Sequence, residues 1–463
     1  MLFRSGFGDL TPQVLDYILF TSRDTGGNSL FSLTADLDGS LFRLPAGPVS
    51  FATGVTYREE RGWRNPDPLT VAGVANTNQQ SPISGATKAK EAYLELSVPV
   101  LADTPFFRSL TLDGAVRYSE YDLFGSDWNY KFSADWTVTE GVRFRGTYGT
   151  GFRVPNVPEL FGGVSEGNLT TSDPCSRYAT SSNATLVANC RASGVPANYV
   201  QLGTTILTTV GGNRDLQPET SQSWTVGTVL QPRGIVPGLS LTADWFDIDI
   251  DGAIRAIPGS TKLAVCYASA SLSSPFCRDF TRSTLTGEVT RLSAQPINTG
   301  RERMKGLDLG LVYAHTLGRL QLQVDLNATY LDEYVVEPFP GGASIVFDGR
   351  IGGGNGGYPQ WRGYGVATAR QDGVAFTWST QWIGRAQDFN AAPTAIGYRT
   401  PDIFYHNAQV AFEIDRRTRF QIGVDNMFDT KAPYIPSFTD GNTDTMTYDL
   451  LRRRFYVGVR TAF

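Results

Sequence analysis

The chain has 463 residues, and its 45 acidic and 40 basic residues give a formal net charge of −5. This balance excludes the broad basic surface with which proteins bind nucleic acid. With 49 Gly and 27 Phe but only 4 Met and 2 His, the composition is typical of strands and turns rather than helices. The mean hydropathy is −0.19, and no run reaches the roughly 20 apolar residues of a membrane helix.

The N-terminal segment does not predict a secretion signal. Its apolar cluster at 14–20 is preceded by Asp9 and interrupted by Asp16. A cationic n-region and a small-residue cleavage site are both missing from the pattern. We interpret the cluster as a short surface helix or part of a loop.

Alternation of apolar and polar residues is the strongest pattern further along the chain. Every even position from Leu320 to Tyr330 is apolar or small, and every odd position is polar. Such a strand places one face in an apolar environment and the other in water. The segment 305–315 has the same pattern, and residues 316–319 join the two as a hairpin turn. Related patterns recur at 110–119, 131–138, 142–148, 224–230, 376–382, 410–414, 420–424 and 455–463.

Strand length and loop length together predict the environment of these strands. We count about 15 or 16 strands, most of them about ten to thirteen residues long, which is nearer to membrane-spanning strands than to ordinary ones. Short turns are expected at 139–141, 232–238, 316–319, 371–373 and 415–418. Long segments alternate with them at 152–220, 252–300, 332–358, 386–402 and 428–452. The sequence therefore predicts an all-β transmembrane antiparallel β-barrel with short turns at one rim and long loops at the other.

Two spaced motifs resemble a known family at this point. They are YGTGFRVPNVPELF at 148–161 and GNRDLQPETSQSWTVG at 212–227. They resemble an aromatic-Gly-Phe-Arg-x-Pro turn and an Asn-x-x-Leu-x-Pro-Glu segment that flank one extracellular loop of TonB-dependent outer-membrane receptors. The matching positions are Gly151, Phe152, Arg153, Pro155, Asn213, Leu216, Pro218 and Glu219.

Three later segments are similar to the same family. The strand at 298–313 has the family's Gly-hydrophobic-Asp pattern at Gly306 and Asp308. The segment 420–434 resembles the penultimate strand and its Asn-hydrophobic-Phe-Asp turn, here Asn426, Phe428 and Asp429. The segment 448–463 resembles the closing strand with its terminal aromatic, Phe463.

The resemblance implies a partial barrel. The family carries a signal peptide, a TonB-contacting box, an N-terminal plug domain and a barrel of about 22 strands. Residues 1–463 match the barrel, and they are expected to supply about 15 or 16 of its strands, with the TonB-contacting box, the N-terminal plug and the first strands missing. Because an open sheet edge in hydrocarbon leaves backbone groups unpaired, the chain alone is expected not to transport.

The resemblance also implies a function. It predicts an outer-membrane receptor of a Gram-negative bacterium, with long extracellular loops, that takes up a scarce solute actively through the TonB system. Ferric siderophores, haem, cobalamin and oligosaccharides are all compatible with it. Outer-membrane lipid and lipopolysaccharide are the expected surroundings, and no cofactor is implied.

Two other functions compete with this interpretation. A plugless porin-like diffusion channel requires an even strand count, its own signal peptide and pairing between the strand near 28–38 and the strand at 453–463. A secreted adhesin or carbohydrate-binding module predicts strands of about five to seven residues and mixed loop lengths. No residue constellation predicts an enzyme, so we predict no catalytic residues.

The four cysteines fall in two pairs, Cys175/Cys190 and Cys266/Cys277, each within one long loop. In an oxidising compartment this spacing favours two local disulfides. A four-cysteine metal site is the alternative, but it lacks C-x-x-C spacing. We expect disulfides rather than a metal site.

Several other motifs have an ordinary explanation. Asp247, Asp249 and Asp251 imitate the start of a calcium loop, but the twelfth position is Pro258 rather than Glu. We interpret them as one acidic, lumen-directed face of a strand.

Gly352, Gly354 and Gly357 match G-x-G-x-x-G, but a strand rather than a helix is expected to follow, so we predict a loop rather than a dinucleotide site. The two histidines, His315 and His406, lie on separate predicted strands. The basic cluster 452–454 is interpreted either as a contact with lipopolysaccharide phosphates or as a solvated strand entry.

Overall fold

The computed structural model describes residues 11–203, 205–352, 356–415, 417–438 and 441–462. Its α-helices are α1 (Pro12–Ile18), α2 (Pro68–Val71), α3 (Val157–Phe161), α4 (Ala184–Ala192) and α5 (Gly259–Ala268), and its 3-10 helices are Tyr178–Thr180, Ala270–Leu272 and Pro275–Arg278. None of these helices is both long and apolar enough to cross a membrane. The N-terminal apolar cluster lies on and just after α1.

Strands make up most of the described chain. The first ten are β1 (Thr25–Leu44), β2 (Gly47–Asn65), β3 (Ile83–Thr104), β4 (Phe107–Tyr121), β5 (Gly125–Thr139), β6 (Val142–Arg153), β7 (Ser165–Thr170), β8 (Thr205–Val210), β9 (Glu219–Leu230) and β10 (Leu239–Asp251). They are followed by β11 (Ile254–Arg255), β12 (Phe280–Arg282), β13 (Val289–Ser293), β14 (Ile297–Asn298), β15 (Arg301–Leu317), β16 (Leu320–Glu337), β17 (Ile345–Val346) and β18 (Arg350–Gly352). The last are β19 (Gly356–Tyr358), β20 (Trp361–Gln371), β21 (Val374–Ile383), β22 (Gln387–Asp388), β23 (Ile403–Glu413), β24 (Thr418–Asp425) and β25 (Arg454–Thr461).

One large antiparallel sheet organises the molecule. Its strands pair in the order β1-β2-β3-β4-β5-β6-β9-β10-β15-β16-β20-β21-β23-β24-β25, and β17 adds to β16. Among the described residues β1 pairs only with β2, and β25 only with β24. The pairing that a porin requires between the strand near 28–38 and the strand at 453–463 is therefore not present in the described chain.

The strand register gives the large sheet two chemically different faces. One row across it reads Val98, Leu112, Ala134, Gly146, Val226, Trp245, Leu307, Tyr330 and Trp361. A row on the opposite face reads Thr111, Asp135, Arg145, Gly227, Asp244, Asp308, Thr329 and Arg362. Because side chains alternate along a strand, the apolar row defines what we call the outer face and the polar row the inner face.

The connections sort by length between the two ends of the sheet. One end, the short-turn rim, has connections at 45–46, 105–106, 140–141, 231–238, 318–319, 372–373 and 414–417. The other end, the long-loop rim, has connections at 66–82, 122–124, 154–218, 252–300, 338–360, 384–402 and 426–453. Apart from 122–124, the sorting agrees with the pattern expected from the sequence. Arg416, in one predicted turn, lies outside the described residues.

A second folded body stands on the long-loop rim. The segments 165–210 and 254–294, which we call the loop unit, come from two successive long connections. Four of their strands form a sheet in the order β12-β13-β8-β7, in which β13 and β8 are parallel. The sequence predicts long loops for both segments, but in the structure they form a common sheet and a common core.

Candidate functional site at the long-loop rim

An arginine clamp joins the large sheet to the loop unit. Arg153, the last residue of β6, donates from Nε and Nη2 to Glu219 at the start of β9, over 2.8 and 2.6 Å. Its Nη1 also donates to Glu159 at 3.0 Å. Glu219 in turn accepts the backbone N–H of Ile254, which begins β11. The clamp therefore ties two sheet strands to the starts of both long connections.

Helix α3 is fixed in the same place. The Asn156 side chain accepts from the backbone of Glu159 and Glu159 accepts from that of Asn156, both at 2.8 Å, which is a capping box. The helix then packs on two glycines of β2 and β3. A Cβ on Gly62 would lie 3.1 Å from Val157, and one on Gly85 only 2.1 Å from the ring of Phe161. Glycine at these positions lets the helix approach the sheet.

The second motif connects the two long connections with each other. Asn213 donates its backbone N–H to Glu159 and its side-chain amide to Pro296, over 2.7 and 3.0 Å. Leu216, only 1% exposed, packs with Leu160 and Ile254. Nearby, the Asn298 side chain accepts from Gln217 N–H and donates to Gln217 C=O, both over 2.8 Å.

The remaining residues of these two motifs make fewer contacts. Gly151 lies opposite Ser221, and a Cβ there would be 2.4 Å from the serine hydroxyl. Phe152 has its ring 5.9 Å from that of Tyr121. Pro155 is buried, and Pro218 immediately precedes β9.

The core of the loop unit draws on both connections. Its buried residues are Cys175, Tyr178, Cys190, Val195, Tyr199 and Ile206 from the first connection, and Leu263, Tyr267, Val289, Leu292 and Ala294 from the second. Disulfide bonds join Cys175 to Cys190 and Cys266 to Cys277. Each bond lies within one connection, so the contact between connections depends on packing and polar interactions.

A buried ion pair is the strongest polar contact between the two connections. Arg282 on β12 donates from Nη1 and Nη2 to the two carboxylate oxygens of Asp173, each over 2.7 Å. The side chains are 7% and 0% exposed. Asp173 also accepts from the Tyr199 hydroxyl at 2.9 Å, and Arg282 donates to the Tyr267 hydroxyl at 2.7 Å. The pair is therefore fully enclosed by hydrogen-bonding partners from both segments.

The electrostatics of this cluster follow from its burial. Burial raises the pKa of Tyr199 well above its usual value, and the neighbouring carboxylate of Asp173 raises it further. Burial disfavours the charged form of Arg282, but the hydrogen bonds and charge of Asp173 outweigh this and raise its pKa. At neutral pH Tyr199 is therefore protonated and Arg282 is charged.

One further contact fastens the two connections together. The Asn189 amide on α4 donates to the carbonyls of Tyr267 and Ser269, over 2.9 and 2.8 Å. Within the second connection, the Lys262 ammonium, 1% exposed, donates to Asp279 at 2.6 Å. These contacts could not be read from the sequence, because no local pattern relates residues as distant as Asp173 and Arg282, which are 109 positions apart.

A recess opens next to the clamp. It has a volume of about 240 Å³ and is lined by Arg58, Glu60, Thr87, Ala89, Tyr121, Phe152, Arg153, Val154, Pro155 and Asn156. Arg58 and Glu60 form an ion pair of 3.2 Å. The recess thus offers both charge signs, a phenol and a ring face, which suit a polar solute with flat or aromatic parts.

The other motif positions lie on different parts of the large sheet. Gly306 sits at a β-bulge, where a Cβ would meet Phe246 and Tyr330 at 2.5 Å. Asp308, on the inner face, accepts from the Thr329 hydroxyl at 2.6 Å. Neither residue contacts the loop unit through these interactions.

The Asn-hydrophobic-Phe-Asp turn is held by its own side chains. Asn426 exchanges two 2.8 Å hydrogen bonds with the backbone of Thr430. Asp429 accepts from Arg452 and from the backbone N–H of Arg453. Phe428 is exposed, with its ring 5.3 Å from that of His406. Phe463 lies outside the described residues.

The acidic triplet of β10 does not face the lumen, contrary to the prediction from the sequence. Asp247, Asp249 and Asp251 lie on the same face of β10 as Trp245. In the strand register, Asp247 is opposite Trp224 of β9. They therefore lie on the outer face, beyond its apolar part. Asp247 and Asp249 pair with Arg303 and Arg301.

The described residues contain no group of three or more potential metal ligands. Of the Gly-rich motif, Gly352 and Gly357 lie on the short strands β18 and β19, and Gly354 lies outside the described residues. The histidines lie on β15 and β23.

The basic cluster 452–454 forms ion pairs. Arg452 pairs with Asp429, and Arg454 contacts Asp425 and Asp449 at 3.6 and 3.4 Å.

A long-stranded antiparallel sheet with an apolar outer face, a polar inner face and sorted connections defines a protein of the outer-membrane barrel class. The sequence matches the family described as "TonB dependent receptor-like, beta-barrel" over residues 3–427. The chain belongs to this family, whose members are transporters rather than enzymes, work with TonB and sit in the Gram-negative outer membrane.

Solved structures show the same fold at low sequence identity. The siderophore receptor PirA from Acinetobacter baumannii superposes with a TM-score of 0.58 at 16% identity, covering 94% of this chain and 55% of that one. A variant of the ferric enterobactin receptor PfeA from Pseudomonas aeruginosa, in complex with enterobactin, gives the same four values. The ferric-catecholate import receptor Fiu from E. coli K12 gives a TM-score of 0.54 at 14% identity, covering 94% of this chain and 55% of that one. The chain thus spans about half the length of these structures.

Proposed function

We propose that this chain forms the barrel portion of an outer-membrane receptor that takes up a scarce solute through TonB, with the long-loop rim outside the cell. The observation that carries the proposal is the loop unit, a disulfide-bonded body clamped to the rim beside a polar recess. Among ferric siderophores, haem, cobalamin and oligosaccharides, we favour a ferric siderophore, because the similar solved structures are named as siderophore receptors.

The domain assignment is also part of this proposal. Residues 1–463 would supply about 15 or 16 strands of a barrel of roughly 22, in a receptor whose plug domain and further strands complete the transporter. The unpaired outer sides of β1 and β25 in the described chain support it, because backbone groups in hydrocarbon require partners. The motif residues act by positioning: Arg153, Glu159 and Glu219 hold the rim in shape.

The test is a binding panel with the purified full chain in detergent. A ferric catecholate siderophore, haem, cyanocobalamin and a maltooligosaccharide are titrated against intrinsic tryptophan fluorescence. We expect saturable quenching by the siderophore that is weakened by Arg58→Ala in the recess and unchanged by Arg319→Ala on the short-turn rim. Failure of all four solutes to saturate would refute a solute-binding rim.

The plugless porin-like diffusion channel is the alternative. The inner face supports it to the extent that its polar rows would suit a water-filled lumen. Planar-bilayer conductance separates the two functions. A steady open conductance without saturable binding of any solute favours the channel, whereas saturable binding without such conductance favours the receptor.

A further inference from the structure

The outer face changes character on three neighbouring strands as it approaches the long-loop rim. Below this level the strands present Leu241, Trp245, Leu307, Leu311 and Tyr330. Beyond it the same face presents the charged set Asp247, Asp249, Asp251, Arg301, Arg303, Lys305 and Glu333, which we call the rim ladder. An apolar surface is thus replaced by ionisable groups within two residues on β10 and β15, and within three residues on β16, where the register shifts at a β-bulge.

The rim ladder is ordered by ion pairs across strands. Arg303 donates to Asp247 over 2.7 and 3.1 Å, and Lys305 donates to Glu333 over 3.1 Å. Arg301 makes the corresponding two-pronged contact with Asp249. The Arg301 and Arg303 side chains remain 52% and 31% exposed. Each guanidinium is therefore held in place by one carboxylate while part of it faces outwards.

The level of the ladder is set by neighbouring aromatic residues. The first ladder row, Asp247 with Lys305, is in register with Trp224, whose ring lies 4.5 Å from that of Tyr148. On the β16 side of the ladder, the ring of Tyr330 lies 4.9 Å from that of Trp361. Amphipathic rings on the outer face of a barrel mark the boundary between hydrocarbon and lipid head groups. The ladder therefore begins at head-group level and continues outwards from there.

We propose that the rim ladder is a docking surface for the phosphorylated head groups of outer-leaflet lipid carrying bound divalent cations. The exposed guanidinium edges match phosphate oxygens, with which arginine makes forked hydrogen bonds. The four carboxylates against three cations leave a net charge of −1, and carboxylates are ligands that Mg²⁺ and Ca²⁺ prefer. A layer in which phosphates alternate with divalent cations has the complementary pattern of both signs.

The inference rests on the proposed function in one respect, the orientation of the long-loop rim away from the cell. It does not depend on which solute is bound or on coupling to TonB. The ladder is separate from the clamp and its recess, since its side chains lie on the outer face of β10, β15 and β16. Lipid docking and solute binding can consequently be lost independently.

The experiment measures binding of fluorescent rough lipopolysaccharide to the full chain in detergent with Mg²⁺. The double variant Arg301→Gln/Arg303→Gln is expected to bind roughly 25-fold more weakly, about a factor of five for each basic group at an anionic lipid surface. Dephosphorylated lipopolysaccharide, or addition of EDTA, should lower binding by the unmodified chain in the same direction. Inorganic phosphate should not compete at a concentration equal to that of the lipid.

Two controls separate docking from a purely structural role. Asp249→Asn breaks one ion pair but keeps both guanidinium groups and three of the four carboxylates, so we expect it to retain most of the lipopolysaccharide binding, whereas a structural role predicts the same loss as for the arginine variants. Arg143→Gln, which breaks the inner-face pair with Asp135, should bind like the unmodified chain. Equal affinity of the double variant and the unmodified chain would overturn the proposal.

The siderophore titration is repeated on the double variant. Normal solute binding with weakened lipid binding supports the inference. If solute binding fails in the unmodified chain while the lipid effect persists, the proposed function fails and the docking surface stands.

Discussion

The large sheet and the loop unit differ in where their apolar side chains lie. On the outer face of the sheet, Phe132 and Trp224 are 58% and 51% exposed, whereas Leu263 and Leu292 in the loop unit are 0% exposed. The sheet is held by backbone pairing and leaves its apolar side chains for an external apolar phase. The loop unit encloses its own core, as a water-soluble domain does. The comparison shows one chain adapted to two solvents.

Ion pairs differ between the two regions in the same sense. The Asp173–Arg282 pair in the loop unit is almost completely buried, while Arg319–Asp372 on the short-turn rim is 81% and 57% exposed. Breaking a buried pair leaves an uncompensated charge without water, whereas an exposed pair is screened. Substitutions should therefore have unequal effects in the two regions.

The largest expected effect comes from Arg282→Met. Removal of the guanidinium leaves Asp173 buried and unpaired, which should destabilise the loop unit by about 3–5 kcal/mol. Hydrogen exchange of 165–210, read by mass spectrometry, measures the loss. Arg319→Met serves as the matched control, with an expected cost below about 1 kcal/mol. Unchanged protection of 165–210 would mean that the two connections do not depend on this pair.

Removal of one disulfide should have the next largest effect. Cys175→Ser/Cys190→Ser frees a loop with a sequence separation of 15, and chain entropy alone predicts a loss of about 3 kcal/mol. Limited proteolysis should then cut the loop unit first, while the hydrogen-exchange protection of the large sheet stays unchanged. Simultaneous loss of both regions would contradict their energetic independence.

Gly85→Ala tests the packing of α3 on the sheet. The added methyl would lie 2.1 Å from the Phe161 ring, so either the ring or the helix must move, at a cost of about 1–3 kcal/mol. Gly149→Ala is the control, because the nearest atom there is 3.8 Å away. A thermal midpoint that falls for Gly85→Ala and not for Gly149→Ala is expected. Equal midpoints would mean that α3 is not fixed on β3.

The smallest effect is a pH dependence of the turn at 426–430. The hydrogen bonds from Arg452 and from the backbone of Arg453 hold the pKa of Asp429 below its ordinary value. Stabilisation of this kind is present above the unfolded pKa of about 3.9 and is lost as the pH falls through the lower folded pKa. Proteolytic resistance of 426–453 should thus be constant near neutrality and fall only below about pH 4. In Asp429→Asn this acid step should be absent.

The strands of the large sheet could be predicted because their cause is local. Alternation from Leu320 to Tyr330 is visible in the sequence, and β16 covers it. Turn lengths then sorted the two rims. The loop unit could not be predicted, because the Asp173–Arg282 pair and the β8–β13 pairing join residues from different connections.

The β10 triplet shows a subtler limit. Alternation correctly placed Asp247 and Asp249 on one face, and Trp245 shares that parity. The error was to assign the whole acidic face to the lumen. A strand that leaves the hydrocarbon changes the chemistry of its outer face without changing its register. Only the cross-strand partners Trp224 and Lys305 reveal this.

The parallel pairing of β8 with β13 has a consequence for the order of assembly. Leu292 meets Thr208 only after the intervening hairpin of β9 and β10 has returned the chain to the same rim. Closing so long a loop is slow, since entropy must be lost before the contact forms. The sheet of the first connection can therefore be completed only after this hairpin has formed. If the hairpin paired with a register shifted by one residue, the second connection would return in the wrong position. Formation of the loop unit therefore requires the correct register in the strands of the large sheet.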